Sequence, residues 1–389
     1  MGPDALAVFL VAGLASLFMA WVIGAGSSGA TPFAPAVGAN AIPTMRAAFF
    51  VGVLGLLGAV FQGGNITQAV GTGLIDGVVL TPTAVILALV TAASLMAIGV
   101  FAGYPIATAF TVTGAIIGAG LALGGRPAWD TYAVIAAMWT VAPLVNAAVA
   151  YAIASTLPRE DVPERVSVPV LAAITGTAAS LMEFSFLGPA GESRSVAAAV
   201  DATAGPTPVP VDAVVVLAGA AAGALVVRWW LREGAEHGLK MFLLALGSLV
   251  AFSAGGSQVG LAVGPLAALL GDVEVPLFGI LFGGGVGILV GSWTGAPRMI
   301  KSLSQDYASL GPRRSVSALL PTFLFAQLAV ALGTPISFNQ AIVTAIVGSG
   351  AAVGGGSGVG LGKLAWTVAA WGGSFVLAFG LGYGFIAFA

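Results

Sequence analysis

No cysteine occurs among the 389 residues, histidine occurs once, and charged side chains make up only 7% of the chain. Without thiols there are no disulfides and no thiolate metal sites. The single His237 argues against a His-ligated metal and a Ser-His hydrolase. It sits in the charged stretch REGAEHGLK and reads as surface. The net charge of −2 says nothing useful about partners, and no nucleic-acid partner is expected. Soluble domains are about a quarter charged, so this chain cannot solvate an ordinary surface.

What fills the gap is apolar: 58% of the residues are hydrophobic and the mean hydropathy is +1.05. Uncharged runs cover 5–45, 47–75, 77–125, 131–158, 241–271, 275–297, 315–362 and 364–389. A bilayer crossing takes about 20 apolar residues, so the longest runs hold more than one pass. The fold class expected is an all-α polytopic membrane protein in contact with membrane lipid. The first segment, Ala5–Ile23, has no Lys or Arg ahead of it and reads as a retained helix rather than a signal peptide.

A repeat organises these runs. GYPIATAFTVTGAIIGAG (103–120) recurs as GTPISFNQAIVTAIVGSG (333–350), with Gly103, Pro105, Ile106, Gly118 and Gly120 matched by Gly333, Pro335, Ile336, Gly348 and Gly350. The same offset matches Gly26, Ser27 and Pro35 with Gly256, Ser257 and Pro265, and Asp76 with Asp306. The segment 298–314 carries Arg298, Lys301, Arg313 and Arg314, whereas its counterpart 68–84 carries no basic residue. Equivalent loops of unequal charge belong on opposite faces, so the two copies are inverted. The spans expected are 5–44, 46–63, 82–102, 105–124 and 131–155 in the first copy. In the second they are 241–271, 275–295, 317–332, 335–354 and 364–388. Two linker spans, 167–190 and 211–230, bring the total to about twelve. The organisation expected is repeat 1 over 1–156, a linker over 157–232 and repeat 2 over 233–389. With both termini outside a cell membrane, all of the 13 Lys and Arg residues except Arg126 and Arg194 face the cytoplasm. The stretches 156–165 and 191–210 read as loops. Trp229 and Trp230 read as an interfacial anchor.

Polar residues inside apolar runs mark where chemistry can occur. Four clusters stand out: GSSGATPFAPAVG (26–38), its partner GGSQVGLAVGPLAA (255–268), the threonines after Pro105, and Ser337, Asn339 and Gln340 after Pro335. Gly and Pro interrupt helices, and each Pro of the later pair is expected to open a half-helix. Helix N-termini carry partial positive charge and unused N–H donors. Four such ends converging at the membrane centre suit a tetrahedral oxyanion. Hydrogen bonds would come from Ser27, Ser28, Thr31, Thr108, Ser257, Gln258, Ser337, Asn339 and Gln340. Gly, Ser and Thr also mediate plain helix packing, which is the competing reading of each residue.

These elements resemble the inorganic phosphate transporter family, the sodium/phosphate symporters, over nearly the full chain. That family carries G-[AS]-N-D-V-A-N-A-x-G in each repeat and, later, G-x-P-x-S-T-T-H. The first signature keeps Gly26, Ala30, Val37 and Gly38 in one copy and Gly256, Val259, Ala262, Gly264 and Pro265 in the other. The later one keeps Gly103, Pro105 and Thr108, then Gly333, Pro335 and Ser337. The resemblance implies about twelve helices, inorganic phosphate or a similar oxyanion such as sulfate as substrate, and Na+ or H+ as coupling ion. There are departures. Ser27 and Ser257 stand at the first Asn, Ser28 and Gln258 at the paired Asp, Thr31 and Leu261 at the second Asn, and Phe110 and Gln340 at the His. No metal site is assigned and no cofactor expected.

Among other acids, Glu183 lies in the apolar stretch LMEFSFLG, expected near a linker-helix end, while Asp76 and Asp306 read as solvated loop positions. The leading function is a secondary transporter working by alternating access, not an enzyme. A passive anion channel or uniporter, and a non-transporting paralogue acting as sensor or assembly partner, stay open, as does homo-oligomerisation.

Overall fold

The computed structural model describes residues 3–159, 161–189, 192–205, 208–270, 275–354 and 358–388. Its apolar runs form helices that end where Gly, Pro or polar turns fall. The first half contains α1 (Pro3–Gly26), α2 (Ala34–Gly38), α3 (Thr44–Gln62), α4 (Gly64–Thr72), α5 (Pro82–Ala102), α6 (Thr108–Ala122) and α7 (Trp129–Thr156). Three helices follow: α8 (Glu164–Ser180), α9 (Val196–Ala204) and α10 (Val211–Trp230), the last closed by a 3₁₀ turn, Leu231–Glu233. The second half contains α11 (Ala235–Leu270), α12 (Leu277–Thr294), α13 (Ala296–Gln305), α14 (Pro312–Ala331), α15 (Phe338–Gly354) and α16 (Leu361–Ala387). Two short antiparallel pairs join β1 (Ile75–Asp76) to β2 (Arg126–Pro127) and β3 (Glu183–Phe184) to β4 (Arg194–Ser195).

Among the described residues, nine helices are long and apolar enough to cross a membrane: α1, α3, α5, α7, α10, α11, α12, α14 and α16. Helices α6 and α15 are shorter and apolar, and α8 has 17 residues. The expected count of about twelve requires these three to cross as well.

The repeat is visible in the helix boundaries. Helices α5 and α14 begin at Pro82 and Pro312, and α6 and α15 at Thr108 and Phe338, the sequence offset in both cases. Proline suits a first helical turn, where its missing N–H would be unpaired anyway. Partner helices run in opposite directions. Gly52 of α3 lies against Trp293 of α12 and Gly63 against Leu281, which makes that pair antiparallel. Contacts are also exchanged between the halves: α1 packs on α12 and α3 on α11, while α6 packs on α16 and α7 on α15. Within these crossings small residues let backbones approach, as lipid-embedded helices require. At the α3–α11 crossing, a Cβ on Gly58 would overlap the Phe252 carbonyl oxygen, and one on Gly255 the Gly55 carbonyl oxygen.

Several expectations change. The segments 68–84 and 298–314 are not simple loops, because α4 and α13 occupy their first parts. The stretch 191–210 contains β4 and α9. Pro105 and Pro335 do not open helices: α6 and α15 start three residues later, and both prolines lie in non-helical connectors. The two Gly/Ser clusters also differ. The first breaks as expected, with α1 ending at Gly26, but α11 runs unbroken through Ser257, Gln258 and Pro265. The reason lies in two matched positions. The turn after α1 brings Gly29 so close to the Gly24 carbonyl that a Cβ would overlap it, and Pro32 has no N–H to continue the ladder. Their counterparts are Val259, whose Cβ would meet that carbonyl in such a turn, and Ala262, whose N–H continues the ladder.

Candidate functional site

The site begins with two matched helix endings. Helix α5 stops at Gly103 (φ +74°) and α14 just before Gly333 (φ +60°), left-handed conformations that glycine adopts without penalty. In both, the next residue folds its N–H back onto the helix: Tyr104 to the Gly99 carbonyl at 2.9 Å and Thr334 to the Ala329 carbonyl at 3.0 Å. The chain then runs through Pro105 or Pro335 to the start of α6 or α15.

The carbonyls of these connectors need partners once buried. The Trp371 indole N–H donates to the Pro105 carbonyl at 2.8 Å, and the Trp139 indole N–H to the Pro335 carbonyl at 3.1 Å. Each half therefore holds the other half's connector through the tryptophan of its last helix. One residue on, Asn339 Nδ2 donates to the Ile106 carbonyl at 2.7 Å and Gln258 Nε2 to the Ile336 carbonyl at 2.8 Å. Gln258 Oε1 accepts from Ser27 Oγ at 3.2 Å. A continuous polar path thus links the end of α1, the middle of α11, both connectors and the starts of α6 and α15.

All nine residues expected at the site are buried. Ser27, Gln258 and Asn339 lie on that path, with Thr108 and Ser337 at its two helix starts. Ser337 Oγ accepts from the Gln340 N–H at 3.3 Å, an ordinary cap. The other four turn elsewhere. Ser28 Oγ donates to the Ile23 carbonyl at 3.4 Å, Thr31 Oγ1 to the Ser27 carbonyl at 3.1 Å and Ser257 Oγ to the Ala254 carbonyl at 3.5 Å. Gln340 Nε2 donates to the Trp139 carbonyl at 3.0 Å, joining α15 to α7. Of the four N-termini expected to converge, α11 supplies none, since it does not break.

Two atoms on the path have no partner: Thr108 Oγ1 and Asn339 Oδ1 are buried without a hydrogen bond. Buried polar atoms left unpaired cost about 1–3 kcal/mol each, so both are free to bond a ligand or a water. The first N–H groups of α6 and α15 lie outside their own helix ladders, and of these the Gln340 N–H is already capped by Ser337. Hydroxyl and N–H donors at the start of α6 and an amide acceptor at the start of α15 therefore belong to one uncharged path, joined through the Asn339 bond to the Ile106 carbonyl.

A second polar group escaped the sequence reading. Gln62 Nε2 donates to the Glu183 carbonyl at 2.9 Å and approaches Gln327 Oε1 at 3.5 Å, while Asn65 Nδ2 donates to Glu183 Oε2 at 3.0 Å. Gln327 Nε2 in turn donates to Ser253 Oγ. Gln62 and Gln327 are isolated amides within apolar helices, and amides there seek partners on other helices; that was the available signal. Glu183 lies near the end of a linker helix, just past the last residue of α8 and in β3 rather than in the helix itself. Among the described residues no cation pairs with it. Burial raises its pKa above the ordinary carboxylate value, and the Asn65 hydrogen bond offsets part of that rise.

A stability prediction follows. A folded-state pKa above the unfolded value means that ionisation costs the folded state, so native stability falls as pH rises from about 4.3 through the raised value. Gln at position 183 can still accept from Asn65 and never ionises. Glu183→Gln should melt higher than the parent at pH 7, with the gap closing toward pH 4. Thermal unfolding across that range tests this, and parallel curves would refute it. Elsewhere, Asp76 and Asp306 are exposed, with Asp306 3.4 Å from Lys363, and exposed His237 lies 3.2 Å from Glu233.

With this geometry established, comparison with known proteins decides the family. The sequence pattern described as the phosphate transporter family matches residues 23–382. The chain belongs to the phosphate transporter family. A protein of Pyrococcus furiosus that carries the name phosphate permease is 27% identical over 369 residues, covering 89% of this chain and 88% of the relative. Inorganic phosphate transporter 2-1, chloroplastic, of Arabidopsis thaliana is 23% identical over 88% of this chain and 65% of its own. A solved structure titled the sodium-dependent phosphate transporter has the same fold, with a TM-score of 0.78 at 23% identity, covering 97% of this chain and 99% of that one. As a member of the phosphate transporter family the chain is a multi-pass membrane protein and not an enzyme. The path of Ser27, Gln258, Asn339 and the two connectors lies within the matched residues.

Proposed function

We propose that this family member is a secondary transporter that moves inorganic phosphate by alternating access. Repeat 1 (1–156) and repeat 2 (233–389) rock against each other, with 157–232 as linker. The observation that carries this reading is the bond from Asn339 at the start of α15 to the Ile106 carbonyl ahead of α6, with Thr108 Oγ1 and Asn339 Oδ1 both buried and unpartnered. Broken helices whose N-terminal ends face an anion at the repeat interface are how such scaffolds bind without cationic side chains.

The mixture of donors and one acceptor favours phosphate over sulfate. Near neutral pH inorganic phosphate keeps a P–OH, which can donate to Asn339 Oδ1 while its other oxygens accept from Thr108 and the free N–H groups. Sulfate has no such proton and would leave Asn339 Oδ1 unpaired. A site built for a donor rejects the analogue that lacks it. The charge bias of the loops supports a cell-membrane orientation with both termini outside. Coupling to Na+ or H+ is part of this reading.

Uptake of labelled phosphate into proteoliposomes, with and without an imposed sodium or proton gradient, tests the assignment. Concentrative uptake is expected, competed by arsenate and not by sulfate. Downhill flux alone would replace the secondary transporter with a uniporter, and equal competition by sulfate would remove Asn339 Oδ1 from substrate selection.

A further inference from the structure

A cavity of about 460 Å³ lies away from the polar path, lined by Arg165, Val166, Arg228, Leu231 and Arg232. Three of its five lining residues are arginines, and none of them makes a side-chain hydrogen bond or ion pair among the described residues. The nearest acids in sequence are engaged elsewhere. Glu164, beside Arg165, pairs with Arg313, and Glu233, beside Arg232, pairs with His237. Three exposed guanidiniums thus share one concavity with no counter-charge in its lining, an arrangement that favours an anion there.

The surroundings identify the anion. Helices α8 and α10 pack against each other, but only 6% of the apolar window of α10 is buried. Directly beside the arginines, Val166 is 58% exposed, Leu225 65% and Trp229 58%. Trp229 and Trp230 end a 20-residue apolar helix, where amphipathic rings mark the membrane–water boundary. A soluble anion would use the guanidiniums and leave this apolar flank bare. A lipid uses both, with its phosphate among the arginines and its acyl chains along α10. Arginine forks fit phosphate oxygens in pairs, and basic pockets between membrane helices suit anionic head groups.

We propose that Arg165, Arg228 and Arg232 form a binding site for the phosphodiester head group of an anionic phospholipid. The linker helices are thereby anchored to the bilayer at a fixed depth, independently of the transport path.

The test uses the full protein in phosphatidylcholine nanodiscs doped with phosphatidylglycerol, reading lipid retained per protein by native mass spectrometry. Each arginine near an anionic surface contributes roughly a fivefold gain, so R165Q/R228Q/R232Q should bind phosphatidylglycerol about a hundredfold more weakly. Each single Gln variant should lose about fivefold, which keeps the test intact if the triple variant misfolds. A control triple, R46Q/R126Q/R194Q, should retain the lipid. Equal retention by wild type and the Arg165/Arg228/Arg232 variants overturns the site, and so does an equal loss in the control. Displacement of the lipid by millimolar inorganic phosphate would instead identify a soluble-anion site and overturn the lipid assignment.

Discussion

Gln258→Leu is expected to abolish phosphate uptake while leaving membrane insertion intact. Gln258 is the one side chain that ties the signature segment at the end of α1 to the second connector, accepting from Ser27 and donating to the Ile336 carbonyl. Leucine fills a similar volume, so the helix should still pack. It leaves a buried hydroxyl and a buried carbonyl without partners, at about 1–3 kcal/mol each. Since 1.4 kcal/mol is tenfold in an equilibrium, the competent arrangement of the connector should fall by roughly one to four orders of magnitude. Ser27→Ala removes only one bond and should cost about tenfold or less. Proteoliposome uptake normalised to inserted protein measures both. Parental rates in a correctly inserted Gln258→Leu protein would show that this path does not shape the binding site.

The second large effect concerns folding. Gly58→Val should prevent recovery of monodisperse protein, because its side chain would collide with the backbone of α11 at Phe252. A backbone carbonyl within a helix cannot swing aside as a side chain can. Overpacking of about 1–3 kcal/mol is the usual minimum for such insertions, and here α3 and α11 would have to separate along their length. Gly283→Val, where a new Cβ meets nothing within 4 Å, serves as the matched control and should purify normally. Size-exclusion profiles and melting temperatures distinguish them, and a stable Gly58→Val protein would mean that this crossing tolerates separation.

Much of the architecture could be read from residues alone, for identifiable reasons. Apolar runs and their charged boundaries mark membrane helices because lipid leaves no other way to satisfy the backbone. The Gly-x-Pro-Ile pair marked where the helices break, because glycine admits the left-handed turn and proline interrupts a helix, although the prolines lie in connectors rather than opening helices. Outcomes decided by contact rather than conformation were not legible. Pro265 sits within a helix because Val259 does not fit the turn that Gly29 makes and Ala262, unlike Pro32, has an N–H to continue the ladder, a distinction the shared Gly/Ser composition hides. Trp139 and Trp371 look like membrane aromatics until their indoles are found on the opposite connector. Glu183 meets Gln62 and Asn65 across more than a hundred residues, so no local pattern announces it. The nine expected site residues divided in the same way. Ser27, Gln258 and Asn339 reached the common path, while Ser28, Thr31, Ser257 and Gln340 bonded other carbonyls.

One difference between the halves has a consequence for the transport cycle. In a perfectly duplicated carrier, the outward and inward forms are mirror images in energy, because exchanging the halves converts one into the other. Here the chain leaves the helix after α1, while its counterpart in α11 stays helical. Exchange no longer returns the same molecule, so nothing obliges the empty carrier to divide its time equally between the two sides of the membrane.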